Sequence, residues 1–254
     1  MMIRLCIILC VFLSSFCVQA QRLTYLAISS QAEPFQIIAQ PNAGIVTDIL
    51  AEAVQNLDIT FTQRAYPFKR YLRMMHSDQY PLWISYGSPA WQGASELNLQ
   101  SRHLSKETLF DVTHVLVVKA DRNFNFDSIE ALFGENVITL DGFHYPGLDE
   151  YFASGEINKL AVRSHENALT AIENNRGIAF VSMKIRVLYS INKAGLDRNK
   201  FKIIDFSSIV PPYPIHLSYS PTVDEKTKLS IDEAIAELKK SGKINQIIKF
   251  YQGI

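Results

Sequence analysis

Short apolar runs alternate with amphipathic stretches along this chain. Leu23–Ile28 is an apolar run of strand length, and Gly44–Leu57 places Ile45, Ile49, Leu50 and Val54 on one helical face. A strand followed by a helix, repeated along a chain, is typical of an α/β sheet. Further strands are predicted at Thr60–Arg64, Leu82–Tyr86, Val112–Lys119, Asn136–Leu140, Ile178–Ser182 and Phe201–Ile204, and further helices at Lys69–Met75, Ser128–Phe133, His165–Asn174 and Lys184–Ala194.

The C-terminal region has the clearest helical pattern. Ser230 precedes apolar residues at helical spacing, and Glu233 follows it by three positions, which predicts a capping box at Ser230. Gly242 interrupts the pattern, and a second helix is predicted from Lys243. The apolar side of that helix consists of Ile244, Ile247, Ile248 and Tyr251.

The first twenty residues have the layout of a secretory signal. A charged start at Arg4 is followed by the apolar run Leu5–Leu13 and then by small and polar residues. Cleavage after Ala20 would leave Gln21 as the first residue, and the apolar run is too short for a membrane anchor. The alternative, a lipoprotein signal at Cys17, is disfavoured by the bulky Phe16 before it. We therefore expect an exported, periplasmic protein with a signal peptide at 1–20.

Composition excludes several kinds of chemistry from the mature chain. The three cysteines, Cys6, Cys10 and Cys17, all lie in the predicted signal, so no disulfide or thiol chemistry is expected after cleavage. Loss of Arg4 with the signal leaves 24 basic against 25 acidic residues. Such a balance does not favour a nucleic-acid partner. The longest later apolar run, Val112–Val118, is too short for a membrane helix.

The ending Ala236–Tyr251 resembles the closing helix pair of the periplasmic solute-binding protein family 3, which serves polar amino acid importers. Pro34-Phe35, Gly44–Ile49 and Ser88-Pro89 follow in the family's order, and two strands resemble its crossover strands. These two strands are Leu109–Val118 and Tyr213–Ser220.

The resemblance implies a two-lobed α/β fold of the type II periplasmic-binding-protein kind, with mixed sheets flanked by helices and two hinge crossovers. Lobe 1 is then discontinuous, 21–113 and 212–254, and lobe 2 is 114–211. The implied function is binding of a small polar solute in the interlobe cleft for uptake by an ABC transporter. The implied partners are that solute and a membrane permease. A monomer without a cofactor is expected.

The chain departs from the family at both anchors for an amino acid. The family usually places an arginine just after the Ser-Pro turn, whereas this chain has Ser88-Pro89-Ala90-Trp91-Gln92. The family also often places an aspartate after a glycine in the second lobe, where this chain has Ile178 after Gly177. Arg102 is either a substitute carboxylate clamp or a solvated surface residue. The resemblance therefore does not fix an amino acid as the ligand.

Loops at the carboxyl ends of the predicted strands should line the cleft. From lobe 1 these residues are Ser29, Ser30, Glu33, Tyr66, Phe68, Tyr86, Gly87, Ser88 and Trp91, and from lobe 2 they are Asp141, Phe143 and Tyr145. An acidic, aromatic cleft of this kind would suit an amine or polyamine-like ligand. The aromatic residues are alternatively lids over the core, and Asp141 is alternatively a turn residue before Gly142.

An enzyme and a sensor module are the two alternatives to a transport function. The six histidines are scattered singly without metal-ligand spacing, and Gly87-Ser88-Pro89 does not form a nucleophile elbow, so neither a metal site nor an enzyme is expected. A solute-binding protein that signals to a membrane sensor requires the same closing motion as an importer subunit. The sequence leaves that alternative open.

Overall fold

The computed structural model describes residues 20–39, 42–91 and 103–254. In chain order, its regular elements begin with β1 (Gln21–Ile28), α1 (Ile45–Val54), β2 (Ile59–Tyr66), α2 (Phe68–Met75), β3 (Trp83–Gly87) and β4 (His103–Val112). The middle of the chain forms β5 (His114–Lys119), β6 (Asn136–Leu140), α3 (Asp149–Ser154), β7 (Asn158–Val162), α4 (His165–Glu173), β8 (Ala179–Met183), α5 (Lys184–Lys193) and β9 (Phe201–Asp205). The last elements are β10 (Tyr213–Tyr219), α6 (Glu225–Lys240) and α7 (Lys243–Gln252).

These strands form two five-stranded mixed sheets. The first has the order β2-β1-β3-β10-β4, in which β1 runs parallel to β2 and β3 while β10 runs antiparallel to both β3 and β4. The second has the order β7-β6-β8-β5-β9, with β5 antiparallel to β8 and β9. Helices flank each sheet, so the predicted two-lobed α/β fold is confirmed. We call the part built on the first sheet lobe 1 and the part built on the second sheet lobe 2.

The chain passes between the sheets twice. Thr113 alone separates β4 from β5, and the segment 206–212 separates β9 from β10. The sequence analysis predicted one strand over Val112–Lys119, because the apolar run continues on both sides of Thr113. The structure corrects this prediction, since the chain changes sheets at Thr113. Two short connections of this kind allow rigid lobes to rotate against each other.

Each lobe has its own core. In lobe 1, α1 buries Ile45, Ile49 and Leu50 completely against the first sheet, as the helical spacing predicted. Each such side chain contributes about 1.5–3 kcal/mol to folding. In lobe 2, two apolar clusters cover the two faces of the second sheet, with Leu116 and Val117 on opposite faces of β5. The alternation of these neighbours follows from the two-residue period of a strand.

Three local predictions differ from the structure. Helix α6 begins at Glu225 and is capped by Asp224, whose carboxylate accepts from Thr227 N at 2.9 Å, so the predicted capping box at Ser230 is wrong. The predicted helix at Ser128–Phe133 is a single 3-10 turn at Ile129–Leu132. Both α3 and β7 were missed, because neither has a strong apolar period: α3 buries no residue and β7 is mostly exposed.

Among the described residues, none of the helices combines the length and apolar character that crossing a membrane requires.

Candidate functional site between the lobes

The loop after β1 is held rigidly on lobe 1. The Gln36 side chain is 1% exposed and bonds two backbone groups near the end of β1, accepting from Ile28 N at 3.0 Å and donating to Leu26 O at 3.2 Å. Ser29 N donates to Tyr66 O at 2.9 Å. A single glutamine thus fixes the loop 29–35 at the carboxyl end of β1, where ligands of open α/β sheets bind.

One face of α5 in lobe 2 packs against this loop. Arg186, Tyr189 and Lys193 lie at spacings of three and four, so their side chains share one face of the helix. Arg186 Nη1 donates to Gln31 O at 2.5 Å, and Lys193 forms an ion pair with Glu33. We call Arg186, Tyr189 and Lys193 the clamp face of α5.

The loop 29–35 also forms a hydrogen bond with a second part of lobe 2, the connection between β7 and α4. Gln31 has a left-handed backbone, with φ of 61°, and its side-chain nitrogen donates to Arg163 O at 3.2 Å. Arg163 lies between β7 and α4. The lobes also meet through apolar groups, since Ile185 of α5 packs into the lobe 1 core and the Tyr189 ring lies 6.3 Å from the Tyr251 ring of α7.

Arg186 is buried at the centre of this interface. Its side chain is 6% exposed, and its guanidinium carbon lies 5.0 Å from the centroid of the Phe35 ring in lobe 1. Its Nη1 donates to Gln31 O, and its buried Nε has no hydrogen-bond acceptor. No acidic side chain among the described residues forms an ion pair with it. The interface thus contains a permanent positive charge without a counter-ion from the described chain.

Two histidines of lobe 2 lie within the field of Arg186 and are neutral at pH 7. Burial, followed by the Arg186 charge, lowers the pKa of His165 to about 3 and that of His114 to about 4. His165 Nε2 and Ser182 Oγ are hydrogen bonded at 2.9 Å, whereas the buried His114 Nδ1 has no partner. Neither ring adds charge, so Arg186 dominates the local electrostatics.

Aromatic rings of lobe 1 form the apolar part of the same region. Trp91 contacts Tyr86 edge-on at a centroid distance of 5.8 Å and Tyr213 at 6.2 Å. Tyr213 also contacts the His114 ring across the lobes at 5.8 Å. Tyr86 in turn meets Phe35 edge-on at 5.9 Å. These rings connect the third strand of lobe 1 with the residues that surround Arg186.

The structure brings part of the predicted lobe 1 set together. Glu33 pairs with Lys193, so its charge is already neutralised. Ser88 is buried and its Oγ accepts from Ala90 N at 3.2 Å, next to Tyr86 and Trp91. Tyr66 instead hydrogen bonds Tyr80, and the 45% exposed Phe68 stacks on Tyr71 at 6.3 Å. Arg102 lies outside the described residues.

The predicted lobe 2 loop divides between surface and core. Asp141 is exposed and precedes Gly142, whose φ is 78°. Phe143 packs partly into the lobe 2 core. Tyr145 is buried, its hydroxyl accepts from Leu140 N at 2.6 Å, and burial raises its pKa to about 12. Whether these residues contact a ligand stays a prediction.

The sequence analysis missed Arg186, Gln31 and His165. It predicted a helix over Lys184–Ala194 but gave no role to the helix face that carries Arg186. An arginine inside the apolar spacing of that helix, between Ile185 and Val187, was the available signal. Lys and Arg are rarely buried without a partner.

An open cavity of about 580 Å³ lies at another position between the lobes, beside the first crossover. Its lining includes Asp111 and Thr113 at the crossover, Lys184 and Leu188 of α5, and Ile248 of α7. None of the twelve cleft residues predicted above, all of which the structure describes, lines it.

Comparison with known proteins supports the fold but not a family. No protein-family model matches the sequence, and no curated protein sequence shows significant similarity to it. Solved structures, in contrast, match nearly the whole chain. The probable amino-acid ABC transporter extracellular-binding protein YtmK from Bacillus subtilis aligns with a TM-score of 0.72 and 14% identity, over 91% of this chain and 97% of that chain.

Two further structures are similar. A mutant of ArgBP from T. maritima aligns with a TM-score of 0.64 and 18% identity, over 92% of this chain and 96% of that chain. The VFT2 domain of BvgS from Bordetella pertussis aligns with a TM-score of 0.65 and 14% identity, over 91% and 92% of the two chains. At such identities the likeness establishes the fold, which is that of the two-lobed periplasmic binding proteins.

Proposed function

We propose that this protein is a periplasmic solute-binding protein that captures a small polar solute between its lobes for uptake by an ABC transporter. The observation that carries the proposal is the clamp face of α5 against the loop 29–35, because it places a buried, unpaired charge between two lobes that are joined by two short crossovers. Solvent is excluded at such an interface, so polar contacts to a solute there are strong and selective.

The proposed lobe boundaries are 21–113 with 212–254 for lobe 1 and 114–211 for lobe 2. They place the hinges at Thr113 and in the segment 206–212, where the chain changes sheets. Binding rather than catalysis is supported by the chemistry of the buried groups: both histidines near Arg186 have lowered pKa values. General bases at neutral pH need pKa values near 7.

A second function shares the same site. Structural similarity to a histidine kinase sensor domain, which aligns with a TM-score of 0.66, supports a role as a binding module that reports solute occupancy to a membrane sensor. Both functions require the lobes to close on the solute. They differ in the membrane protein that recognises the closed form. Capture of membrane proteins from the native host with the mature chain, followed by mass spectrometry, separates them: a permease supports uptake, and a sensor kinase supports signalling.

The binding function itself is tested by thermal shift. The mature chain, Gln21–Ile254, is screened against organic acids, amino acids, amines, polyamines, sugars and short peptides, since a ligand that binds only the folded state raises the melting temperature. We expect at least one class to raise it and to reduce the radius of gyration in X-ray scattering. No shift with any compound at millimolar concentration would overturn the proposal.

A further inference from the structure

We propose that the solute is a carboxylic acid without an ammonium group and that Arg186 holds its carboxylate. This inference rests on the proposed solute-binding function and names the substrate class of the same site. It places the anion anchor on a helix of lobe 2, at Arg186, and not after the Ser88-Pro89 turn of lobe 1.

The first support is the incomplete bonding of the guanidinium. Arginine has five N–H donors in a planar fork that matches a carboxylate. One Arg186 nitrogen donates to Gln31 O, and the buried Nε donates to no atom. The two oxygens of a carboxylate in the plane of the fork would accept one from Nε and the other from a terminal nitrogen, which is the strong bidentate arrangement.

The second support is the uncompensated charge. A buried ion without a partner is costly, and removal of one member of a buried pair destabilises a protein strongly. Nearby acids are engaged elsewhere: Glu33 pairs with Lys193, and Asp149 accepts from Tyr145 N at 2.9 Å. Among the described residues, therefore, Arg186 lacks a counter-ion, and an anionic solute would provide one.

The third support concerns the rest of the solute. A zwitterion needs a free acidic side chain for its ammonium. The groups that contact Arg186 or feel its charge include the rings of Phe35, Tyr213, Tyr145, His114 and His165, and Glu33, an acid of the same interface, is paired with Lys193. Rings of this kind suit an apolar or aromatic remainder. A cationic amine or polyamine, in contrast, would be repelled by Arg186.

The test uses two series of compounds. Within each series the apolar part is the same and the charged groups differ. Thermal shift and calorimetry of the mature chain compare 3-phenylpropanoic acid, phenylalanine and phenethylamine, together with hexanoic acid, norleucine and pentylamine. We expect an acid to bind, its amino acid to bind less tightly and its amine not to bind. Tighter binding of the amine or amino acid would overturn the inference while leaving the proposed function intact. No response from any solute in the wider screen would instead overturn the function itself.

Variants of Arg186 separate an anchor from a structural residue. We expect Arg186→Gln to weaken acid binding on the order of 100-fold, because one partner of a desolvated charge pair is lost, and to melt at or above the wild-type temperature. Arg186→Lys keeps the charge without the fork and should bind about 10-fold more weakly than wild type. The exposed Arg176→Gln is the matched control and should bind normally.

Two results would assign Arg186 a structural role instead. One is unchanged acid binding in both Arg186 variants. The other is a large drop in melting temperature for both variants, with acid binding by the folded Arg186→Lys protein equal to that of wild type.

Discussion

Lys193, at the end of α5 in lobe 2, forms an ion pair with Glu33, in the loop that follows the first strand of lobe 1. The two side chains are 47% and 39% exposed, so the pair lies at the rim of the interface. Exposed pairs contribute little to stability, about 0–1 kcal/mol. The pair nevertheless links two rigid lobes, and its effect should appear in their relative position.

We predict that Glu33→Gln increases the radius of gyration in X-ray scattering, because one interlobe contact is lost, while the unfolding free energy falls by less than about 1 kcal/mol. The matched control is Glu173→Gln, which removes an ion pair with Lys200 inside lobe 2. That variant should leave the radius unchanged. An equal radius for wild type and Glu33→Gln would contradict a clamping role.

Stability should fall in mild acid through His165. Its pKa in the folded protein is about 3, below the ordinary 6.5, so the unfolded chain binds a proton first as the pH falls. The stability that the neutral His165 ring contributes is fully present above pH 6.5 and is lost progressively as the pH falls toward 3. Between pH 7 and pH 5 we expect a loss of about 2 kcal/mol from this residue.

Urea denaturation at several pH values measures that loss. His165→Gln should show a shallower pH dependence than wild type, whereas the exposed His103→Gln should keep the wild-type slope. Identical slopes for wild type and His165→Gln would show that the His165 ring is not buried in its neutral form.

Gly44 precedes α1 with φ of 121°, and a Cβ there would lie 2.7 Å from Phe35 O. Both the backbone conformation and the close approach exclude a larger residue. We predict that Gly44→Ala lowers the unfolding free energy by about 3 kcal/mol or more.

Gly142→Ala is the matched control, because its φ is also positive, at 78°, but a Cβ would meet no atom within 4 Å. It should cost only about 1–2 kcal/mol. Equal losses of unfolding free energy in the two variants would mean that the close approach of Phe35 O to Gly44 does not exclude a side chain at this position.

Trp91 contacts Tyr86 and Tyr213 edge-on. We predict that Trp91→Ala lowers the unfolding free energy by about 1–3 kcal/mol, since each aromatic pair contributes about 0.5–1.5 kcal/mol. Trp91→Phe should retain most of this stability. Unchanged stability in Trp91→Ala, combined with loss of a solute-induced thermal shift, would instead identify Trp91 as a solute contact and not as part of the packed aromatic region.

Much of the fold follows from local sequence pattern. The strands β1, β3 and β6 and the helices α1, α4, α5 and α7 have buried apolar residues at regular spacing, and that spacing is visible without the structure. The change of sheet at Thr113 does not follow from the hydrophobic pattern, which predicts one strand where β4 ends and β5 begins; the expected lobe boundary after residue 113 comes from the family resemblance.

The site was harder to predict than the fold. Arg186 reaches Gln31 across 155 positions of sequence, and its importance depends on how α5 docks on a loop of the other lobe. The position of a loop after a strand predicts residues such as Glu33 and Trp91, but it does not predict a helix face. The role of a helix face can be predicted only when the segment of the other lobe that packs against it is known.

The clamp face of α5 has a kinetic consequence. Its bonds to the loop 29–35 are made by the protein's own groups, so they favour closure whether or not a solute has entered. A molecule that closes without a solute cannot bind one until it reopens. The apparent affinity for the solute is therefore lowered in proportion to the fraction of molecules that are open. Weakening the Glu33–Lys193 pair should therefore speed association. The clamp face of α5 therefore limits the association rate of the solute as well as its apparent affinity.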